Sequence, residues 1–165
     1  SNELTEMIKE KLYKSEKFFI TNDLNFIGES WLSNLDSNPF YNDLNWINET
    51  NSLTEFIIFM ELTEHNLITK PNKYSVFNLQ LTEAYLLKIS LRIKVIDIRS
   101  KEQTVLLQKI VQQTFDVPWK FDSFNYKNDN WKKRAFLLSP IGVAHSKIIE
   151  KIFDDVKDYI LLTKY

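Results

Sequence analysis

The chain has 165 residues, of which 44% are hydrophobic, 14% aromatic and 26% charged, a balance that excludes a disordered tail and predicts one folded domain over residues 1–165. Its 21 Lys and Arg residues against 22 Asp and Glu residues give a formal charge of -1, so no strongly basic field favours nucleic-acid binding. With only two glycines and no cysteine, the chain contains no phosphate-binding glycine loop, disulfide, thiolate nucleophile or cysteine zinc site, and we predict no cofactor and no metal.

The N-terminus and the apolar runs bear on the processing of the chain and on whether it crosses a membrane. The chain begins Ser1-Asn2-Glu3 without an initiator Met, which we interpret as a cleaved expression scar joined either to a fragment or to a mature protein after removal of a signal peptide. No apolar run approaches the ~18 residues that a membrane-spanning helix needs, so we predict no direct membrane span.

The N-terminal third predicts a helix, a strand and then irregular structure. Apolar residues at helical spacing predict an amphipathic helix over roughly residues 3–17, which we expect to lie on a sheet. Residues 18–21 predict a short strand that leaves this helix. Residues 22–53 are rich in turn-forming residues and predict one short helix at 29–35 within irregular structure.

Three strands are predicted in the middle of the chain. Residues 56–62 are apolar on both faces and predict a strand buried on both sides. The apolar odd-numbered residues of 85–95 alternate with polar residues at 88, 90, 92 and 94, which predicts that one face of this strand meets a core and the other faces water. A polar connection then leads into a strand at 104–113, so the segments 85–98 and 104–113 are predicted to pair as a long antiparallel hairpin.

A polar loop at 116–130 is followed by a last helix that runs to about Leu161. Ser139 suits the N-cap and Pro140 the first helical position, where a missing N–H is no loss. The apolar stripe of this helix consists of Ile141, His145, Ile148, Ile149, Ile152, Phe153, Val156, Tyr159 and Ile160. The predicted fold class is therefore α+β, with a mixed, largely antiparallel sheet covered by the N-terminal and C-terminal helices.

The two histidines, His65 and His145, are the first candidates for chemistry. His145 lies on the apolar stripe of the last helix and is interpreted as a hydrogen-bonded residue at the core edge. His65 follows Glu61 and Glu64 in a strand, where the two carboxylates are expected to point to opposite faces, so all three are interpreted as a solvated strand end. The alternative is a small hydrolase that uses one histidine with a distant carboxylate.

An aromatic segment at 119–131 is the main candidate for binding another protein. Its five large aromatic side chains stand in polar sequence and either cover one sheet edge or form an exposed anchor for a partner. We name them the aromatic segment residues: Trp119, Phe121, Phe124, Tyr126 and Trp131. Trp31 and Trp46 are second candidates. The basic run at 132–134 could contact a phosphate or a lipid headgroup, but three charges are too few to argue from.

From Glu55 onward the order of these signals resembles the middle domain of the bacterial flagellar assembly protein T. The matching stretches are residues 56–62, 85–99, 106–109, 117–124 and 141–144, and the most specific are the Pro-Trp-x-Phe-Asp element at Pro118 and the Gly-x-Ala of Gly142 and Ala144. The resemblance covers about residues 55–160. The chain departs from it at residues 101–103, where the family has Gly in the hairpin turn, and at Ile141, where it has an aromatic residue.

The resemblance implies a fold similar to the N-terminal domain of the translocation protein TolB and to the curli secretion lipoprotein. It also implies a non-enzymatic periplasmic role in the ring around a flagellar basal body, with other basal-body or envelope proteins, or further copies in a ring, as partners. The alternative within the same superfamily is an envelope lipoprotein that serves secretion or activates a peptidoglycan synthase.

Overall fold

The computed structural model describes residues 2–20, 38–40, 44, 47, 54–69, 84–100, 102–118 and 132–164. These contain helix α1 (Asn2–Lys14), strands β1 (Phe56–Thr69), β2 (Ala84–Asp97) and β3 (Thr104–Pro118), and helices α2 (Arg134–Leu137) and α3 (Pro140–Leu162). The predicted helix at 29–35 and the loop residues 119–130 lie outside the described residues. Within the described ranges, no helix combines the length and the apolar character that crossing a bilayer requires.

The strands form an antiparallel sheet in the order β1-β2-β3. The helices pack on this sheet, so the predicted α+β class is confirmed. The hairpin of β2 and β3 is also confirmed, but β3 continues to Pro118, which pairs with Ala84, whereas the prediction ended at residue 113. The extension follows from Phe115 and Val117, which continue the alternation onto the core face. The sequence predicts a polar loop from Asp116 onward, but Asp116 pairs with Leu86 within β3.

The apolar face of β2 is sealed beneath α3, as predicted. From Leu87 to Val95, no odd-numbered side chain is more than 1% exposed, and all of them join one core cluster with α3. On the helix side, Ile148, Ile152 and Val156 are fully buried. Because burying one such side chain contributes about 1.5–3 kcal/mol, this contact is a dominant stabilising element of the fold. Only Tyr159 of the predicted helix stripe is exposed, at 43%.

The start of α3 also agrees with its prediction. Ser139 is the N-cap, with extended backbone and a side-chain oxygen that accepts a hydrogen bond from the Gly142 N–H at 3.0 Å. Pro140 occupies the first turn. The Ser139 hydroxyl in turn donates to the carbonyl of Phe136 at 2.6 Å, which fixes α2 against the start of α3.

Helix α1 is confirmed, but it ends at Lys14 rather than residue 17. The hydroxyl of Ser15 donates to the Leu12 carbonyl at 2.6 Å, and Glu16 adopts a left-handed backbone with φ of 56°, which terminates the helix. The apolar face of α1 packs mainly against α3 and joins the same core. The predicted strand at 18–21 is wrong for its described residues, because Phe18–Ile20 form no strand pairing although Phe18 and Ile20 pack on the core.

The second face of β2 was predicted to face water, and this is wrong near the hairpin turn. Lys94 and Ile96 are fully buried there, and Phe40 and Ile47 lie over the same face. The guanidinium of Arg92 stacks over the Phe40 ring at 5.0 Å. A long lysine or arginine side chain has a largely apolar stem, so alternation alone does not show that its face is solvated. Burial lowers the pKa of Lys94.

Gly142 provides the first testable prediction. In an ordinary helix, a Gly→Ala change stabilises by about 0.5–1 kcal/mol. Here an added Cβ would overlap the Phe136 carbonyl oxygen and approach the carbonyl carbon to 2.8 Å, and both atoms are backbone. We therefore expect Gly142→Ala to lower the free energy of unfolding by about 1–3 kcal/mol in urea denaturation. Lys151→Ala, on an exposed turn of the same helix, is the control and should change it little. A stabilised Gly142→Ala variant would contradict the close contact.

Candidate functional site

The two histidines of the chain contact each other, although 80 residues separate them. The Nε2 atoms of His65 on β1 and His145 on α3 are 2.9 Å apart. His145 is only 3% exposed, which agrees with its interpretation as a hydrogen-bonded core-edge residue. The interpretation of His65 as part of a solvated strand end is wrong, because its imidazole points at α3.

A β-bulge in β1 brings His65 to this position. Leu62 pairs with Leu91 and Glu64 with Ser90, so Thr63 is an extra residue without a partner residue in the register. Its hydroxyl donates to the Ser90 carbonyl at 3.1 Å. Beyond the bulge the alternation is inverted, and His65 faces the helices opposite Ile89.

Because of the same bulge, the prediction for the two acidic residues is wrong. Glu61 and Glu64 were expected on opposite faces, but the inserted Thr63 places both on the face away from α3. Glu64 pairs with Lys88 at 2.9 Å, and Glu61 approaches Arg92 at 3.6 Å. The hydrogen bond from Lys88 is the main cause of the lowered pKa of Glu64. These carboxylates are therefore cross-strand ion-pair partners.

A third residue, Glu3 on α1, completes the cluster. The Nδ1 atom of His145 lies 2.9 Å from Oε1 of Glu3, whose side chain is 25% exposed. Glu3, His145 and His65 thus form one hydrogen-bond chain that joins α1, α3 and β1. Sequence reasoning missed Glu3 because no spacing rule relates a residue in the first turn of α1 to residues 65 and 145.

The position of His145 depends on the α2–α3 junction. The Phe136 ring packs against the imidazole, with ring centroids 5.8 Å apart and planes inclined at 56°. Phe136 is held there by the Ser139 hydrogen bonds and by the close approach of its backbone to Gly142. The small residue at 142 therefore contributes indirectly to the geometry of the cluster.

The hydrogen-bond chain fixes the proton positions. A carboxylate only accepts hydrogen bonds, so the Nδ1 of His145 carries a hydrogen and donates it to Glu3. In neutral His145, Nε2 is then an acceptor, and the Nε2–H of His65 donates to it. The pair can hold one added proton in this arrangement, whereas a second would set two N–H groups against each other.

The electrostatics of the cluster favour neutral His65. Burial is the largest cause that lowers the pKa of His65, and electrostatic repulsion from the neighbouring His145 ring is the next. The carboxylate of Glu3 acts in the opposite direction as a smaller effect. The His65 ring is therefore predominantly uncharged near neutral pH.

The geometry favours a direct hydrogen bond over metal ligation. The ring centroids are 5.2 Å apart, close to the largest separation that a 2.9 Å contact between the Nε2 atoms permits, so the two nitrogens meet head-on. Two ligands of one metal ion would instead aim their lone pairs at a shared point off this line. Within the part of the chain that the structure describes, no group of three or more His, Cys, Asp or Glu residues is arranged to hold a metal.

The aromatic segment residues, Trp119, Phe121, Phe124, Tyr126 and Trp131, lie outside the described residues, as do Trp31 and Trp46. Their proposed role as contact residues stays a prediction from the sequence. The neighbouring basic run is described, and the structure places Lys133 and Arg134 on the surface.

Comparison with known proteins identifies the family of the chain. Residues 1–164 match the model of a family of unknown function, DUF7499. The chain belongs to DUF7499. No curated protein matches it. Among solved structures, this DUF7499 chain is similar to the 1.65 Å structure of the hypothetical protein CT253 from Chlamydia trachomatis, with a TM-score of 0.61 and 19% sequence identity. The match covers 96% of this chain and 83% of CT253, and it shows a shared fold.

The pH dependence of stability follows from the lowered pKa of His65. Between the ordinary histidine value of 6.5 and the lowered folded value, the unfolded chain binds a proton that the folded chain does not. The free energy of unfolding should therefore fall as the pH drops below 6.5, by up to about 1.4 kcal/mol per pH unit, and level off below the folded pKa. Urea midpoints measured from pH 7.5 to 5 test this.

His65→Leu is the matched variant, and its stability should be flatter over the same pH range. NMR titration of the two imidazoles gives the direct measurement. A His65 resonance that titrates at or above 6.5 would contradict the assigned environment.

The link between α1 and α3 gives a separate prediction. A hydrogen bond to a charged group contributes about 1.5–3 kcal/mol when it is buried. A double-mutant cycle of Glu3→Ala and His145→Leu should therefore give a coupling free energy of about 1–2 kcal/mol at pH 7. The control on the same helix is a double-mutant cycle of Glu6→Ala and Lys9→Ala. The ion pair of these two residues, at 3.0 Å, is partly exposed, so their coupling free energy should be about 0.5 kcal/mol or less. Additive effects of Glu3→Ala and His145→Leu would show that the contact does not join the helices.

Proposed function

We propose that this DUF7499 chain is a non-enzymatic structural domain of the bacterial cell envelope, located in the periplasm, that assembles with other proteins around a flagellar basal body. The observation that carries the proposal is the packing of α3 across the apolar face of β2, since the resemblance to flagellar assembly protein T depends on that long hairpin and its closing helix. Partners of the proposed domain are basal-body or envelope proteins, with a ring of several copies as one form of the assembly.

The small residues at the start of α3 give further support. Gly142 and Ala144 match the Gly-x-Ala of the resemblance, and both are tightly packed. Gly142 touches the backbone of Phe136, and Ala144 is fully buried. The match therefore lies at positions where the fold requires small side chains.

The hydrogen bonds of His145 support a structural role for this residue over catalysis. A general base needs an available lone pair on its imidazole. Here the Nε2 atoms of His65 and His145 are engaged with each other, and the Nδ1 of His145 is engaged with Glu3. The alternative of a small hydrolase gains a carboxylate partner for His145, but both nitrogens of that imidazole are already hydrogen-bonded within the protein.

The second envelope candidate is a lipoprotein domain for secretion or for activation of a peptidoglycan synthase. It rests on the same superfamily resemblance and would use the same fold. The genomic neighbourhood of DUF7499 members distinguishes the two, because flagellar genes favour the first candidate and secretion or cell-wall genes favour the second.

The aromatic segment provides the functional test. In the native host, Trp119→Ala with Phe124→Ala should reduce the recovery of the tagged domain with its assembly by about tenfold or more, because buried aromatic anchors dominate binding energy at interfaces. Swimming should be impaired in the same strain. Circular dichroism and the melting temperature of the purified variant should match those of the parent.

The control replaces two exposed aromatic residues elsewhere, Tyr13→Ala with Phe19→Ala, which are 68% and 94% exposed. This control should retain both recovery and swimming. Full assembly and swimming in the Trp119 and Phe124 variant would refute the contact surface. Recovery of the parent with secretion or cell-wall proteins instead would assign the domain to the second candidate.

A further inference from the structure

A surface at the α2–α3 junction combines basic and apolar side chains. We call it the junction patch, and it consists of Lys133, Arg134, Leu137, Leu138, Val143 and Lys147. Leu138 is 70% exposed, and Leu137 and Val143 are each 39% exposed. Three exposed aliphatic side chains this close together in the chain are a candidate docking surface.

The local backbone makes the patch one surface. Phe136 points into the core and is 3% exposed, so the neighbouring side chains Arg134, Leu137 and Leu138 are turned outward. The contact of Gly142 with the backbone of Phe136 and Leu137 brings Val143 beside α2. Lys147 follows Val143 by one helical turn and therefore shares its face.

The charge of this region is opposite to that of the rest of the chain. Residues 132–149 contain four of the 21 Lys and Arg residues and none of the 22 Asp and Glu residues. Lys133, Arg134 and Lys147 form none of the ion pairs found among the described residues. A chain with a formal charge of -1 thus presents a locally cationic end.

We propose that the junction patch docks this domain on the surface of an anionic lipid bilayer. The basic side chains would lie against acidic headgroups, while Leu138 and its aliphatic neighbours enter the interface between headgroups and acyl chains. A purely acidic protein partner would need the charges but would not need Leu138 to be apolar. The coincidence of cationic and strongly exposed aliphatic side chains is what favours a bilayer.

This inference goes beyond the proposed assembly role and uses different residues. The partner contact was assigned to the aromatic segment, and the bilayer contact is assigned to the junction patch. Failure of one therefore leaves the other intact.

Vesicle co-sedimentation of the purified domain tests the inference. Vesicles of phosphatidylcholine with phosphatidylglycerol should bind the domain, and vesicles of phosphatidylcholine alone should bind it about tenfold or more weakly. High salt should weaken the binding, because it screens the headgroup charge. Lys133→Gln with Arg134→Gln and Lys147→Gln should lower the partition coefficient about tenfold or more, and Leu138→Asp should lower it several-fold.

Matched controls remove the same charge and the same side-chain type elsewhere. Lys14→Gln with Lys17→Gln and Lys151→Gln carries the same net charge as the patch variant, and Leu162→Asp replaces a leucine that is 77% exposed at the other end of α3. Both controls should bind like the parent, and melting temperatures confirm that every variant is folded. Equal binding to both vesicle types, equal loss in the charge control, or undiminished binding of Leu138→Asp would each overturn the proposal.

Discussion

Burial of the apolar face of the β2–β3 hairpin by α3 is the contact on which the rest of the described structure depends. The ribbon from Leu87 to Val95 is covered along its length, and the flanking strands extend the same surface. Helix α1 then packs on α3 and closes the core at its edge. A strand of alternating polarity and a helix with one apolar stripe are complementary surfaces, so neither element is stable in water without the other.

The hydrogen-bond chain of Glu3, His145 and His65 is the main group of polar side chains that contacts this otherwise apolar core. Buried polar groups cost free energy unless each donor and acceptor is matched, and the chain matches an imidazole on both of its nitrogens. Because a hydrogen bond is directional, the chain selects one alignment of α1, α3 and β1 from several that apolar packing alone would permit. Its contribution is therefore better described as specificity of packing than as bulk stability.

The sequence predicted those elements whose pattern is repeated over many residues. The eleven-residue alternation of β2 and the stripe of α3 were recovered with the correct buried face, and the Ser139–Pro140 start of α3 was recovered because capping is a local interaction. The cover over Lys94 was missed because it comes from residues distant in sequence. The meeting of His65 with His145 was missed because one inserted residue, Thr63, inverted the expected alternation.

The bulge at Thr63 divides β1 into two segments that differ in which residues face the helices. Before it, the even-numbered residues share a face with the helices, and after it the odd-numbered residues do. Regular pairing of the same sequence without the bulge would put Thr63 opposite Ser90, Glu64 opposite Ile89 and His65 opposite Lys88, which would move an imidazole onto the outer, charged side of the sheet and a carboxylate into the hydrocarbon interior. The residues from 64 to 69 therefore fit the fold only while Thr63 stays out of the pairing register, so the bulge determines which side chains of the outer half of β1 face the helices.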